Sequence, residues 1–135
     1  MRLVQSLTLK CKGVDHMEFT ADGRYGIATC EFSGQLFKID LETRAVIGYL
    51  NLRKDDVQPS QEAHRHAVQA ATWQPRRRAD PQDIRSSPDG SVFFVADMTG
   101  GGVILVDPIA FTRVGFIPTG IGTHGLYPSR DGTRL

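Results

Sequence analysis

Two histidines and several carboxylates are the residues of this sequence that could bind a metal or take part in catalysis. His16 follows Asp15 directly, and His124 lies far downstream. Imidazole and carboxylate groups can together hold a divalent metal, and imidazole can also ligate haem iron. The sequence contains neither an HExxH motif nor paired CxxC motifs. Any metal or haem site would therefore have to be assembled from distant segments.

The chain has two cysteines, Cys11 and Cys30, and their state is open. They could form a disulfide in an oxidising compartment. Alternatively both stay reduced, with Cys30 partly buried as a small apolar residue, and we favour this interpretation. A third option is that Cys30 acts as a nucleophile beside His16, since a neighbouring base activates a thiol.

A charged segment in the middle of the chain holds His64, His66 and the arginine run 76–78. On a strand the two histidines would share a side and could chelate a metal, whereas on a helix they would not face each other. We favour solvated loop charge for this segment. Residues 60–73 could form a short helix with Ser60 as N-cap, or an irregular loop.

The charge balance argues against one class of partner. With 16 basic and 15 acidic residues the formal net charge is +1, which predicts no binding to nucleic acid. No apolar run approaches the roughly 18 residues of a membrane span, so no span is predicted. Residues 1–9 also lack the apolar core of a signal peptide.

An internal repeat positions the candidate residues. Asp22-Gly23 recurs as Asp89-Gly90, 67 positions later, and again as Asp131-Gly132, 42 positions after that. Apolar residues coincide at the same offset, and Gly34 falls on Gly101. A repeat of about 40 residues made of short strands and glycine turns is typical of β-propeller blades.

Each repeat contains four strand signals, so the predicted fold class is all-β: a partial β-propeller of four-stranded antiparallel blades. We predict the last strand of a preceding blade at residues 2–9, a blade at 16–52, an insertion at 53–80, a second blade at 82–119 and the start of a further blade at 123–135. A ring of 4–8 blades needs roughly 170–340 residues. The sequence is therefore expected to be a fragment whose partners are the missing blades of its parent chain.

Part of the second repeat resembles the YVTN-type repeat of bacterial β-propellers, which is related to the haem-d1 propeller of cytochrome-cd1-type nitrite reductases. The resemblance covers residues 2–52 and 81–135, and it is specific for fold rather than for activity. It implies an extracytoplasmic location, periplasmic or secreted. The residues that carry it are Ser87-Pro88-Asp89-Gly90, Val95-Ala96-Asp97 and Gly102-Val103-Ile104-Leu105-Val106-Asp107.

Blade geometry brings the candidate residues to one end of the ring. Residues just before the first strand and just after the second lie on the same face of the disc, because the two strands are antiparallel. There they could form a site at the channel mouth, or they could cap backbone groups and bridge neighbouring blades, as buried polar residues commonly do. The residues concerned are Asp15, His16, Cys30, Glu31, Gln82, Asp83, Asp97 and His124.

Two functions follow from these alternatives. The preferred one is a noncatalytic scaffold of undefined biochemical role, which binds a protein or a small ligand at the channel mouth. The other is a redox or hydrolytic enzyme or accessory whose divalent metal or haem sits at that mouth. The sequence itself requires no cofactor.

Overall fold

The computed structural model describes residues 1–52 and 79–135. Within these ranges the chain forms eight strands and one 3-10 turn, Glu31–Ser33. The strands are β1 Val14–Phe19, β2 Tyr25–Cys30, β3 Gln35–Asp40, β4 Ala45–Asn51, β5 Pro81–Ser86, β6 Phe93–Asp97, β7 Gly102–Asp107 and β8 Thr112–Pro118.

The strands form two antiparallel sheets with the order β1-β2-β3-β4 and β5-β6-β7-β8. Consecutive strands are neighbours throughout, so each sheet is a meander joined by short turns. The predicted all-β class with four strands in each repeat is confirmed.

The Asp-Gly turns are built in the same way in all three copies. The Thr20 hydroxyl donates a hydrogen bond to Oδ1 of Asp22 at 2.6 Å, and Gly23 has a φ of 67°, a left-handed conformation that favours glycine. The same contact, also at 2.6 Å, recurs in the pairs Ser87–Asp89 and Ser129–Asp131. The sequence repeat is thus also a repeat of hydrogen bonds.

One apolar layer forms between the two sheets. Residues of alternating strand positions point into it from both sides, as the two-residue period of a strand requires. The first sheet contributes Ile27, Leu36 and Leu52, and the second contributes Ile84, Phe93, Val95, Ile104 and Val106. The sheets therefore pack face to face around a shared core.

The outward face of each sheet is covered only in part. On the first sheet, Leu9 and Cys11 pack against Ala28, Cys30 and Phe37. On the second sheet, Leu126 packs against Ala96 and Val103. Each sheet thus has apolar residues on both faces, which is the pattern of an inner layer rather than of a sheet with one solvated side.

Residues 2–9 form no strand with any described residue. They run alongside β4 instead: the Gln5 side-chain amide donates to the Arg44 carbonyl at 3.3 Å, and the Lys10 N–H donates to the Tyr49 hydroxyl at 2.9 Å. A final strand of a preceding blade would need the other strands of that blade as partners. The strand at residues 2–9 therefore stays a prediction, and so does the blade expected to begin at 123–135.

The insertion expected at 53–80 lies mostly outside the described residues, together with the alternatives for 60–73, the two histidines and the arginine run. Its last residues belong to the core instead, because Ala79 is buried between the sheets. A Cβ on Gly34 would come within 2.8 Å of the Ala79 carbonyl oxygen. A glycine at position 34 is therefore required by this close approach as well as by its φ of 64°.

The Asp-Gly turns predict a specific acid response. Hydrogen bonds, above all from the Ser87 hydroxyl, lower the pKa of Asp89 to about 2. Because this folded-state pKa is below the ordinary value of about 3.9, the turn stabilises the fold above roughly pH 4, and this contribution is lost as the pH falls towards 2.

The Ser87→Ala variant should raise the pKa of Asp89 towards its ordinary range, as measured by carboxyl carbon NMR titration. Ser91→Ala is the control and should produce a smaller rise, because the N–H of residue 91 still donates. An Asp89 that titrates near its ordinary value in the unsubstituted protein would contradict the turn geometry.

Candidate functional site

A bulge at the same place in β1 and β5 positions the first candidate residues. The regular pairing with the second strand shifts between Val14 and Met17 in the first sheet, and between Pro81 and Ile84 in the second. Bulges re-aim side chains and are frequent next to functional sites. The residues inside the two bulges are Asp15 and His16, and Gln82 and Asp83.

Asp15 and His16 form a partly exposed pair. Nδ1 of His16 lies 3.1 Å from Oδ2 of Asp15, and their side chains are 40% and 33% exposed. No hydrogen bond joins the two groups, and the Nδ1 atom of His16 is itself buried without a hydrogen-bond partner in the part of the chain that the structure describes. The backbone of His16 is held by Thr29, whose Oγ1 accepts from the His16 N–H at 3.0 Å. This pair retains a solvent-facing side.

Asp83, at the equivalent place in the second bulge, has a structural role. It is buried, and its Oδ2 accepts from the Leu126 N–H at 2.9 Å. Its Oδ1 accepts from its neighbour Ile84 and lies 2.8 Å from a guanidinium nitrogen of Arg85. Gln82 is also buried and donates weakly to Asp80 at 3.4 Å. These contacts fasten the segment around Leu126 to the second sheet.

Asp97 has a similar structural role at the end of β6. Its buried carboxylate accepts at 2.9 Å both from the Asp80 N–H and from the Gly100 N–H. A Cβ on Gly100 would clash with the Asp97 carboxylate, so the turn leaves no room for a side chain. Asp97 therefore satisfies buried backbone donors, as buried polar groups must.

Cys11 and Cys30 are joined by a disulfide with their Cα atoms 6.0 Å apart. The favoured interpretation of two reduced thiols is therefore wrong. The backbone bond from the Glu31 N–H to the Gly13 carbonyl, at 2.8 Å, brings the segment before β1 next to the end of β2. That approach gives the Cα spacing a disulfide needs. With its sulfur in this bond, Cys30 is no nucleophile.

Glu31 and His124 lie beside different sheets: Glu31 directly follows β2 of the first sheet, and His124 lies beside the second sheet. Glu31 begins the short 3-10 turn and is held there by its backbone. His124 is exposed and lines a groove of about 560 Å³ on the outward face of the second sheet, together with Phe94, Val103 and Leu126. His16 does not line this groove. Across residues 1–52 and 79–135, no three His, Cys, Asp or Glu side chains are grouped so that they could hold a metal.

Two buried cations were missed by the sequence analysis. The Lys38 ammonium donates to the Pro108 carbonyl at 2.7 Å and lies 4.2 Å from the Tyr25 ring centroid. The Arg113 guanidinium donates to the Leu52 carbonyl at 3.1 Å. Burial lowers the pKa of both groups. A charged residue among the alternating apolar positions of β3 was the signal available for Lys38.

Comparison with known proteins identifies the fold. Hydrazine synthase from Kuenenia stuttgartiensis superposes with a TM-score of 0.66 at 17% identity, over 98% of this chain and 30% of that chain. Like the other structures matched, it is a β-propeller. The chain has the fold of β-propeller blades. Each four-stranded sheet is one blade.

Other propellers match over a similar extent. Dihydro-heme d1 dehydrogenase NirN has a TM-score of 0.53 at 16% identity, over 90% of this chain and 19% of that chain. The Pseudomonas aeruginosa periplasmic gluconolactonase PpgL has a TM-score of 0.52 at 20% identity, over 93% and 32%. The chain thus spans about a third or less of each. No family model and no curated protein matches it.

The two blades contain no membrane-spanning helix. Among the described residues, none lies in a helix of the length and apolarity needed to cross a bilayer.

The structural and the exposed carboxylates should respond differently to truncation. Asp97→Ala removes the acceptor of two backbone N–H groups, and each buried donor left unsatisfied costs about 1–3 kcal/mol of the free energy of unfolding. Asp15→Ala, the matched control, should change that free energy by less than about 0.5 kcal/mol, as surface substitutions usually do. Chemical denaturation measures both values. Equal losses of the free energy of unfolding would contradict the distinction between Asp97, which bonds buried backbone N–H groups, and the exposed Asp15.

Proposed function

We propose that this chain supplies two consecutive blades of a larger YVTN-type β-propeller that acts as a noncatalytic scaffold. The proposal rests on the bonding of the polar residues that were expected at the channel mouth. Asp83 and Asp97 are buried and bonded to backbone N–H groups, and Cys30 is in a disulfide. Groups engaged in this way hold the fold together and are not free for chemistry.

The ligand we propose for the scaffold, a protein or a small molecule, would bind where the exposed Asp15–His16 pair is located. This pair offers a carboxylate and an imidazole on a bulge that directs them away from regular pairing. The groove beside His124 is less suitable as a ligand site, because it lies on the face where a neighbouring blade would pack. The near-neutral charge of the chain supports neither nucleic acid nor a polyanion as ligand.

Neighbouring blades are the proposed structural partners. On the first blade, Met17 and Phe19 of β1 are 40% and 49% exposed. On the second blade, Ile117 and Tyr127 are 45% and 82% exposed. Repeat units generally bury such faces against the next unit, and only terminal units carry polar outer faces. Both outward faces of the two blades therefore have the character of internal contacts.

The exposed faces lead to a prediction on association. The 135-residue chain alone should self-associate at micromolar concentrations, because its uncovered apolar faces are available to other copies. Ile117→Asp should shift it towards the monomer in sedimentation velocity. Ile109→Asp is the control, since Ile109 is 70% exposed in the turn after β7 and should leave association unchanged. A chain that is monomeric without any substitution would contradict the partner proposal.

A metal- or haem-dependent enzyme or accessory is the second candidate. A carboxylate beside a histidine is a common way to orient a metal ligand, and NirN and hydrazine synthase show that propeller structures include enzymes. The described residues do not fit such a group by themselves. They offer one imidazole with one carboxylate, whereas a catalytic zinc site uses three protein ligands. The remaining ligands would have to come from other blades.

Metal analysis and an absorption spectrum of the purified protein separate the two candidates. The scaffold proposal expects less than about 0.1 equivalent of bound transition metal, and no Soret band after incubation with haem and removal of the unbound haem. A stoichiometric metal or a Soret band that is lost in His16→Ala but kept in His124→Ala would overturn the scaffold proposal. It would assign the ligand role to His16.

An extracytoplasmic location is part of the same proposal. Disulfides persist in oxidising compartments and are rare in the cytosol, and the chain contains the pair Cys11–Cys30. The match to a periplasmic gluconolactonase supports the same compartment.

A further inference from the structure

The ends of the second strands in the two blades differ in one informative way. Cys30 ends β2 and Asp97 ends β6, and the two residues are 67 positions apart, as the repeat requires. The backbone around them is equivalent. The Glu31 N–H donates to the Gly13 carbonyl at 2.8 Å, and 67 positions later the Met98 N–H donates to the Asp80 carbonyl at 3.1 Å. Each bond ties the end of the second strand to the chain that leads into the first.

In each blade a side chain adds a second link between these two segments, but the link is of a different kind in the two blades. In the second blade the Asp97 carboxylate accepts from the Asp80 N–H at 2.9 Å. A cysteine cannot replace that contact, because sulfur is a weak acceptor. In the first blade Cys30 is instead bonded covalently to Cys11, two residues before Gly13. The disulfide thus occupies the structural position of the carboxylate contact.

We propose that the Cys11–Cys30 disulfide is a redox-sensitive fastening for the segment leading into β1. The disulfide holds two things in place: the Asp15–His16 pair, and Leu9, which packs on the outward face of the first sheet. Val14 pairs directly with Cys30, and the bulge with Asp15 and His16 follows it. Leu9, on the other side of Cys11, packs on the outward face of the first blade. Reduction of the disulfide therefore loosens both the bulge in β1 and the packing of Leu9 on the outward face.

The reaction is thiol–disulfide exchange with a dithiol. One thiolate of the dithiol attacks the sulfur of Cys11, which is the more accessible because Cys30 is fully buried. The Cys30 thiolate leaves and takes up a proton. The second thiol of the reagent then displaces the Cys11 thiolate, which is protonated in turn. The dithiol ends as a cyclic disulfide, so two electrons pass to the protein.

Amide hydrogen exchange before and after treatment with dithiothreitol tests this fastening. In the reduced protein the Glu31 N–H, which bonds to Gly13, should exchange at least tenfold faster, because the local opening that exposes it becomes easier. The Met98 N–H is the matched internal control and should change less than twofold, since its contact in the second blade contains no cysteine. Cys11→Ser should exchange like the reduced protein and should not respond to dithiothreitol.

Each other outcome overturns the proposal. Iodoacetamide that alkylates both cysteines, when added in denaturant to protein never exposed to reductant, would show that the bond is absent. Equal exchange of Glu31 with and without reductant would show that the bond fastens nothing. A rise of the same size at Met98 would make the bond a support of the whole fold rather than of the segment before β1. These readouts require no bound ligand, so they are independent of the scaffold proposal.

Discussion

The apolar contact between the two sheets is the interaction on which the rest of the structure depends. Ile27 and Leu36 from one blade meet Ile84 and Phe93 from the next, all fully buried. Burying such a side chain stabilises a fold by about 1.5–3 kcal/mol each, whereas an exposed ion pair contributes about 0–1 kcal/mol. The apolar layer therefore decides how the blades are placed. Polar groups near it must find partners within the geometry it imposes.

The two buried cations show how that constraint is met. Lys38 and Arg113 lie at the junction of the blades, where losing water lowers the pKa of each. Each donates across the junction to a backbone carbonyl of the other blade, at Pro108 and at Leu52. These carbonyls lie at the ends of strands and need donors. At the repeat-equivalent positions the chain has Leu105 and Val46, so the cations belong to this junction and not to the blade design in general.

The repeat offset predicted the four-strand blades and their turns, because glycine turns and strand alternation are local properties of the sequence. The Asp-Gly turns formed as expected at Asp22, Asp89 and Asp131. Burial of individual polar residues could not be predicted in the same way. Asp83 is buried and accepts from the Leu126 N–H, and the cysteines pair because the backbone bond from residue 31 to residue 13 brings residues 11 and 30 together. Both facts depend on contacts between segments far apart in sequence, which a single sequence does not reveal.

Comparing equivalent positions separates the residues that hold the fold from those left for function. Where the second blade has Gln82 and Asp83, both buried, the first has Asp15 and His16, both partly exposed. The bulge is the same in both blades and β5 lies against β1, yet the side chains of His16 and Asp15 stay 40% and 33% exposed. The disulfide in turn ties the start of this blade without using a carboxylate. Among the described residues, the Asp15 and His16 side chains make none of the backbone hydrogen bonds that Asp83 makes, and this departure from the repeat supports our proposal that a ligand binds there.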